Sequence, residues 1–191
     1  AIPDVIRSMT DGTGVLQIDE HNFVTFQHDH FMEYYASREI FFEENRGKLE
    51  RQIIEKFTEF NWQNIAIFYT GRTKNMPLFL DRLVQRCESY SAVNDQLLAV
   101  SGLGFVLQSL WMTNSENRKK AVLQSLKMLL KIDAGIKSLA QHQFPFFKEI
   151  DDMTIAISNL VWFFSHYNSI TLRDPLQLAF DELRFEFKKM E

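Results

Sequence analysis

The sequence is poor in residues that cross-link or break a chain. It has one cysteine, four prolines and seven glycines in 191 residues. A lone Cys87 excludes an intramolecular disulfide and suits a reducing compartment, so a cytoplasmic location is expected. Its thiol reads as a small buried apolar group rather than a nucleophile. With so few breakers, most of the chain should lie in regular elements. Long apolar runs are missing too. The most apolar stretch, Leu97 to Trp111, is too short to span a bilayer and is interrupted by Ser101, Gln108 and Ser109, so it reads as a buried helix, with no membrane role. The start Ala1-Ile2-Pro3-Asp4 has neither the basic flank nor the apolar run of a signal peptide. Positive charge is not in excess: 21 Lys and Arg stand against 25 Asp and Glu, a net charge of -4, which argues against a dedicated nucleic-acid binder. A phosphate loop is also lacking, because Gly12-Thr13-Gly14 is not followed by Gly-Lys-Ser/Thr. No catalytic set is complete, and the chain alone is not expected to be an enzyme.

What is present is apolar and aromatic. Hydrophobic residues make up 46%, with 18 Phe, and charged residues 24%, which is enough for one substantial core or two small ones. Ile2 to Met9 is predicted as a short helix, Asp11 to Gly14 as a turn, Val15 to Ile18 as a strand, and Asp19 to Asn22 as a turn into a second strand, Phe23 to Phe26. From Phe31 the spacing changes: Phe31, Tyr34, Tyr35, Phe41 and Phe42 recur at helical intervals. Asp29 is placed to cap that helix, with Glu33 adding negative charge near its positive end, while Phe31 and Tyr34 are expected to face the core. His28 is thereby held at a strand-to-helix junction.

Helices follow to the end. Gly47 is expected as a stop. Leu49, Ile53, Ile54, Phe57 and Phe60 mark a second helix; Trp62, Ile65, Ala66, Phe68 and Tyr69 a third, ending at Gly71. Pro77 opens a fourth, with Phe79, Leu80, Leu83, Val84 and Cys87 inward. The helix from Asp95 to Met112 is apolar nearly all round and should be central, its Gly102 and Gly104 marking close packing or a break. Ser115 is expected to cap the next, with Val122, Leu126, Leu129 and Leu130 inward and Arg118, Lys119 and Lys120 on a solvated face. Gly135 and Pro145 bracket a shorter element. Asp151 or Asp152 starts a helix through Ile155, Leu160, Phe163 and Phe164. Asp174-Pro175 opens the last one, with Ala179, Phe180, Leu183 and Phe187 inward. The fold class is mainly α: a partial winged helix with a small β-hairpin, then an irregular helical bundle or helical array. No strict repeat period is visible.

Few groups carry chemistry. His28, His30 and Glu33 could offer three metal ligands, but no second cluster completes a shell, and no metal is expected. His28-Asp29 also spells the dipeptide of metal-dependent phosphohydrolases, without the upstream His and downstream Asp they need. Ser165-His166 has no partner acid. Trp62, Trp111 and Trp162 lie on apolar stripes and are expected in the core. A histidine at a helix start, beside free amides, can donate to a phosphate oxygen. The plainer alternative is that His28 bonds a nearby carbonyl and stiffens the junction.

The stretch Phe26, His28, Phe31, Glu33, Tyr34, Ala36 resembles a motif at the end of the winged-helix domain of STAND NTPases, the signalling ATPases with a NACHT module. The resemblance implies that residues 1–45 are the C-terminal part of a winged helix with its junction helix, and 46–191 a helical domain. It implies that His28 contacts the β-phosphate of ADP in a closed, inactive state. ADP or ATP would be held mainly by an ATPase core elsewhere in a longer parent chain. The chain begins inside what looks like a domain and without an initiator methionine, so it reads as a fragment of that parent. Its expected partners are the ATPase core and a sensor domain of the parent, with homo-oligomerisation on activation and a role in innate immune signalling, including antiphage defence. Two other readings stand beside this: a winged-helix transcription regulator with an effector or dimerisation domain, and a ligand-free helical scaffold. The first would want basic residues before the wing, where Ile2 to Met9 offers only Arg7, against Asp4.

Overall fold

The computed structural model describes residues 2–142 and 151–190. After α1 (Ile2–Arg7) and a π-helical turn (Ser8–Gly12), strands β1 (Leu16–Ile18) and β2 (Val24–Phe26) pair antiparallel with Leu16 opposite Phe26. Asp19 closes the hairpin, its Oδ1 accepting from the amides of His21 (2.9 Å) and Phe23 (2.8 Å). Among the described residues eight helices follow: α2 (Asp29–Phe42), α3 (Arg46–Glu55), α4 (Phe60–Thr73), α5 (Pro77–Glu88), α6 (Val93–Ser109), α7 (Ser115–His142), α8 (Asp152–His166) and α9 (Arg173–Met190). The protein is therefore mainly α, a small hairpin followed by a helical array. Among the described residues no helix is long and apolar enough to cross a membrane.

The helices stack in two rows. In one, α2 packs on α4, α4 on α6 and α6 on α8; in the other, α3 packs on α5, α5 on α7 and α7 on α9. The rows are joined by α6 against α7, α7 against α8, and α2 and α4 against α3. Next-but-one packing is the arrangement of helical repeat proteins, and here it forms without a repeat period in the sequence. Short connections force neighbouring helices to turn back, so alternate helices fall on opposite sides of the core. That core runs along the shared face: Ile53, Phe57, Tyr69, Leu80, Leu83, Leu103, Leu107, Met128, Ile132, Phe163 and Tyr167 are fully or almost fully buried.

As anticipated, α6 is central, and its glycines are there for close approach. A Cβ on Gly102 would lie 2.3 Å from Gln63 Nε2 and 2.8 Å from Phe57 Cζ. One on Gly104 would lie 2.7 Å from the backbone oxygen of His166. Hydrogen bonds cross the same contacts, from Gln63 Nε2 to the Leu98 carbonyl (2.8 Å) and from Gln108 Nε2 to the His166 carbonyl (2.9 Å). The buried Tyr167 hydroxyl donates to the Val100 carbonyl (3.0 Å) and also lies 2.6 Å from Ser125 Oγ.

Several expectations change in the structure. Gly47 sits inside the first turn of α3 instead of stopping a helix, and nothing lies within 4 Å of its would-be Cβ. Helix α3 ends at Glu55, so Phe57 is buried from the following turn and Phe60, 66% exposed, opens α4. Helix α4 runs past Gly71 to Thr73, and Lys74 takes the left-handed cap (φ 62°). Asn114 rather than Ser115 caps α7, its Oδ1 accepting from the Asn117 amide at 2.9 Å. Helix α7 continues through Gly135, so no separate element starts there; Pro145 lies outside the described residues. Asp151 does cap α8, accepting from the Thr154 amide at 2.7 Å. A 3-10 turn capped by Ser169 precedes α9, which leaves Asp174 and Pro175 in the first turn of α9.

Arg118 is buried rather than solvated, because that turn folds over the start of α7. Its Nη1 donates to the Thr171 carbonyl at 2.6 Å. Burial lowers its pKa, and Asp174 partly offsets this. Lys119 bridges Glu116 (2.8 Å) and Glu182 of α9 (2.9 Å). Leu130 points to solvent, and Phe180 is also exposed. The side chain of Phe187 lies outside the described residues. Trp62 and Trp162 pack partly buried against the core, whereas Trp111 is 50% exposed just past the end of α6, with Lys74 Nζ 5.9 Å from its ring centroid.

Two stability outcomes follow from this packing. Gly104→Ala is expected to lower stability by about 1–3 kcal/mol, because a backbone carbonyl cannot move out of the way of the new methyl group. Gly47→Ala, in open space inside a helix, is expected to raise it by about 0.5–1 kcal/mol. Urea denaturation of the two variants checks the contrast, and equal effects would contradict the close approach. Burial also raises the Cys87 thiol above its ordinary 9.0 and the Tyr167 phenol above 10.0; Tyr69 is raised by burial and then by its 2.5 Å bond to Glu50. The folded chain keeps these groups neutral where the unfolded chain ionises them. The stability they protect is therefore complete below about pH 9 and falls as pH rises further. A melting temperature that stays flat from about pH 8 to about pH 11 would refute this.

Candidate functional site: the strand-to-helix junction

β2 ends at Phe26 and α2 begins at Asp29, so Gln27 and His28 form the junction. The Gln27 amide donates to the Val15 carbonyl (3.0 Å), and its Oε1 lies 2.8 Å from where Gly14 would carry a Cβ. Gly14 adopts φ +65°, which adds to the need for glycine there. His28 occupies the cap position with extended backbone (φ -136°, ψ 140°), and its carbonyl accepts from the Phe31 amide at 3.0 Å.

The His28 imidazole is exposed and tilts against the Phe31 ring, centroids 6.0 Å apart. Among the described residues it has no hydrogen-bond partner, so it does not bond a nearby carbonyl. No side chain caps α2. Asp29 is the first residue of the helix rather than its cap, because the extended backbone that capping requires belongs to His28. The amides of Asp29 and His30 thus remain open beside His28, donors that suit a phosphate oxygen, with the exposed Asp29 carboxylate opposing it.

Glu33 does something other than serve the helix start. Its side chain is fully buried, with Oε2 2.7 Å from His30 Nδ1 and Oε1 accepting from Asn64 Nδ2 at 2.9 Å. It therefore ties α2 to α4. The buried face of α2 is Glu33, Ser37 and Ile40, whereas Tyr34 is 42% exposed and Phe42 64%. Tyr34 forms an aromatic bridge instead of facing the core. Its ring stands edge-on to Tyr35 (5.5 Å) and to Phe68 of α4 (5.9 Å), with Arg72 5.6 Å from its centroid. Tyr35 stacks on Phe26 at 5.9 Å, so the hairpin, α2 and α4 are joined side chain to side chain.

His30 and Glu33 bond each other, and His28 is not part of that pair; among the described residues no group of three or more His, Cys, Asp or Glu is placed to hold a metal. Ser165 and His166 do meet (Oγ to Nδ1, 3.1 Å), but each also lies within hydrogen-bond distance of the Trp162 carbonyl. Clefts among the described residues lie away from His28. One of about 380 Å³ runs between α5 and α7; another of about 500 Å³, lined by Lys48, Arg51 and Arg82 with Glu44, lies between α3 and α5. Sequence reasoning missed Asn64 as the partner of Glu33. The only signal was a polar residue on the inward side of an amphipathic helix. No family model matches the chain, and it has no match among curated proteins or solved structures.

Asn64→Ala is expected to cost about 1–3 kcal/mol, since it leaves a buried carboxylate one donor short. Adding Glu33→Met removes the charge and should recover much of that loss. Denaturant melts of the single and double variants decide it; additive losses would show that Glu33 and Asn64 are not coupled.

Proposed function

We propose that this chain is a regulatory segment of a STAND signalling ATPase of the NACHT type. In this reading it helps hold the ADP-bound closed state and relays it to a sensor or partner. The observation that carries it is the junction: His28 presents an unbonded imidazole beside the open amides of Asp29 and His30, and α2 is tied through Glu33 and Asn64 to the rest of the array. A phosphate contact at His28 would bear on a helix packed directly against α4, the next member of its row. Most of the ADP or ATP site belongs to the ATPase core of the parent chain. The parent would be cytoplasmic, would oligomerise on activation, and would act in innate immune or antiphage defence, as the motif's resemblance implies. The two-row array favours a second reading, a helical scaffold without a nucleotide, because such arrays serve chiefly as extended binding surfaces.

Calorimetric titration of the parent protein with ADP separates the two. His28→Ala is expected to weaken ADP binding by about 1–3 kcal/mol, the loss for a hydrogen bond to a charged group, without lowering the melting temperature, since the ring is exposed. Equal and tight binding by both proteins would remove His28 from the site. Absence of binding in either would leave the scaffold.

A further inference from the structure

Among the described residues helix α8 is the last helix of its row, packed on α6 and α7. Its sequence, DMTIAISNLVWFFSH, has no ionisable side chain between Asp152 and His166. The side packed inward carries Phe163, which is fully buried, and Asn159, which donates to Asp133 of α7 at 2.9 Å. The other side is as apolar as a core face yet open to solvent. Met153 is 68% exposed, Ile157 53%, Leu160 45%, Val161 66% and Phe164 42%. At steps of four, three, one and three residues, all five fall on one stripe of the helix. The stripe continues onto α9, where Phe180, 40% exposed, stacks against Phe164 with centroids 6.3 Å apart.

Soluble proteins rarely leave a contiguous apolar patch of this size uncovered, and larger ones mark interaction sites. We propose that the exposed stripe of α8, extended by Phe180, is a self-association surface on which two copies of this chain pack α8 against α8. Three features fit a second copy. The stripe has no charge, so placing it against itself about a two-fold axis brings no like charges together, and an isologous contact needs only that the face complement itself. Pairing α8 with α8 would continue the row by one more helix-on-helix contact. The area also suffices. At roughly half of the 150–250 Å² that a large side chain can bury, six such residues offer about 450–750 Å² per copy. Two copies then bury about 900–1,500 Å², toward the lower end for a specific interface, so the dimer should be weak.

This proposal stands apart from the nucleotide reading and requires no ADP. Sedimentation velocity of the 191-residue chain, without nucleotide, from about 2 to about 200 µM should show a shift from the 22.5 kDa monomer toward twice that mass. Val161→Asp and Ile157→Asp each set a charge against the same charge of the other copy and should weaken association about 10-fold or more. Their melting temperatures, taken at the lowest concentration where both proteins are monomers, should match the unsubstituted chain. If one variant fails to fold, the other carries the test. A monomer across the whole range overturns the proposal, as does association that ignores both substitutions. Lower melting temperatures for both dilute variants also overturn it, because they would mean that the chain itself covers the stripe. His28→Ala should leave the self-association unchanged, so either result can fail without the other.

Discussion

The array depends on how closely α6 can approach its neighbours in the row. Gly102 faces Gln63 and Phe57 on the α4 side, and Gly104 faces the backbone at His166 on the α8 side, and at neither position is there room for a Cβ. Two residues apart on one helix, these glycines set the spacing of the row in both directions. Glycine costs helix propensity at each position, roughly 1 kcal/mol against alanine. Close packing offsets this by letting core side chains on both flanks, Leu103 and Leu107 among them, lose all solvent contact.

Polar side chains then fix what the apolar contacts leave adjustable. An apolar interface between helices tolerates sliding, whereas a buried donor has to meet a particular acceptor. Gln63 reaches the Leu98 carbonyl, Gln108 the His166 carbonyl, Tyr167 the Val100 carbonyl and Arg118 the Thr171 carbonyl. Each acceptor is a backbone oxygen, on a neighbouring helix, at a helix end or in the turn before α9. A shift of one residue would strand the donor in a dry interior, at a cost of about 1–3 kcal/mol. Glu33 and Asn64 do the same between α2 and α4 with side chains alone.

The two regions with functional promise sit at opposite ends of the same row. At the start, His28 holds an unbonded ring beside an uncapped helix; at the far end, α8 shows solvent an uncharged apolar stripe. Between them α4 and α6 form a continuous packed path. Communication along such a path would require an element with two stable arrangements.

Much of the architecture was legible in the residues. The change from β-branched alternation to helical spacing after Phe26 located the hairpin and α2, Pro77 marked the start of α5, Asp151 the start of α8, and the apolar Leu97 to Trp111 stretch the central helix. These features are local: turn chemistry, capping and hydrophobic period act within a few residues, so the chain itself carries them. Which face of each helix met which neighbour was decided only by the tertiary structure. Arg118 looked like part of a solvated charge run until the turn before α9 covered it; Glu33 looked like a dipole partner until α4 supplied Asn64. Leu160 and Phe164 read only as marks of a helix, and packing then left them open to solvent. A helix with more than one apolar or polar face has no preference among them on its own. Burial is chosen by partners distant in sequence, and that choice rests on non-local packing that no local pattern encodes.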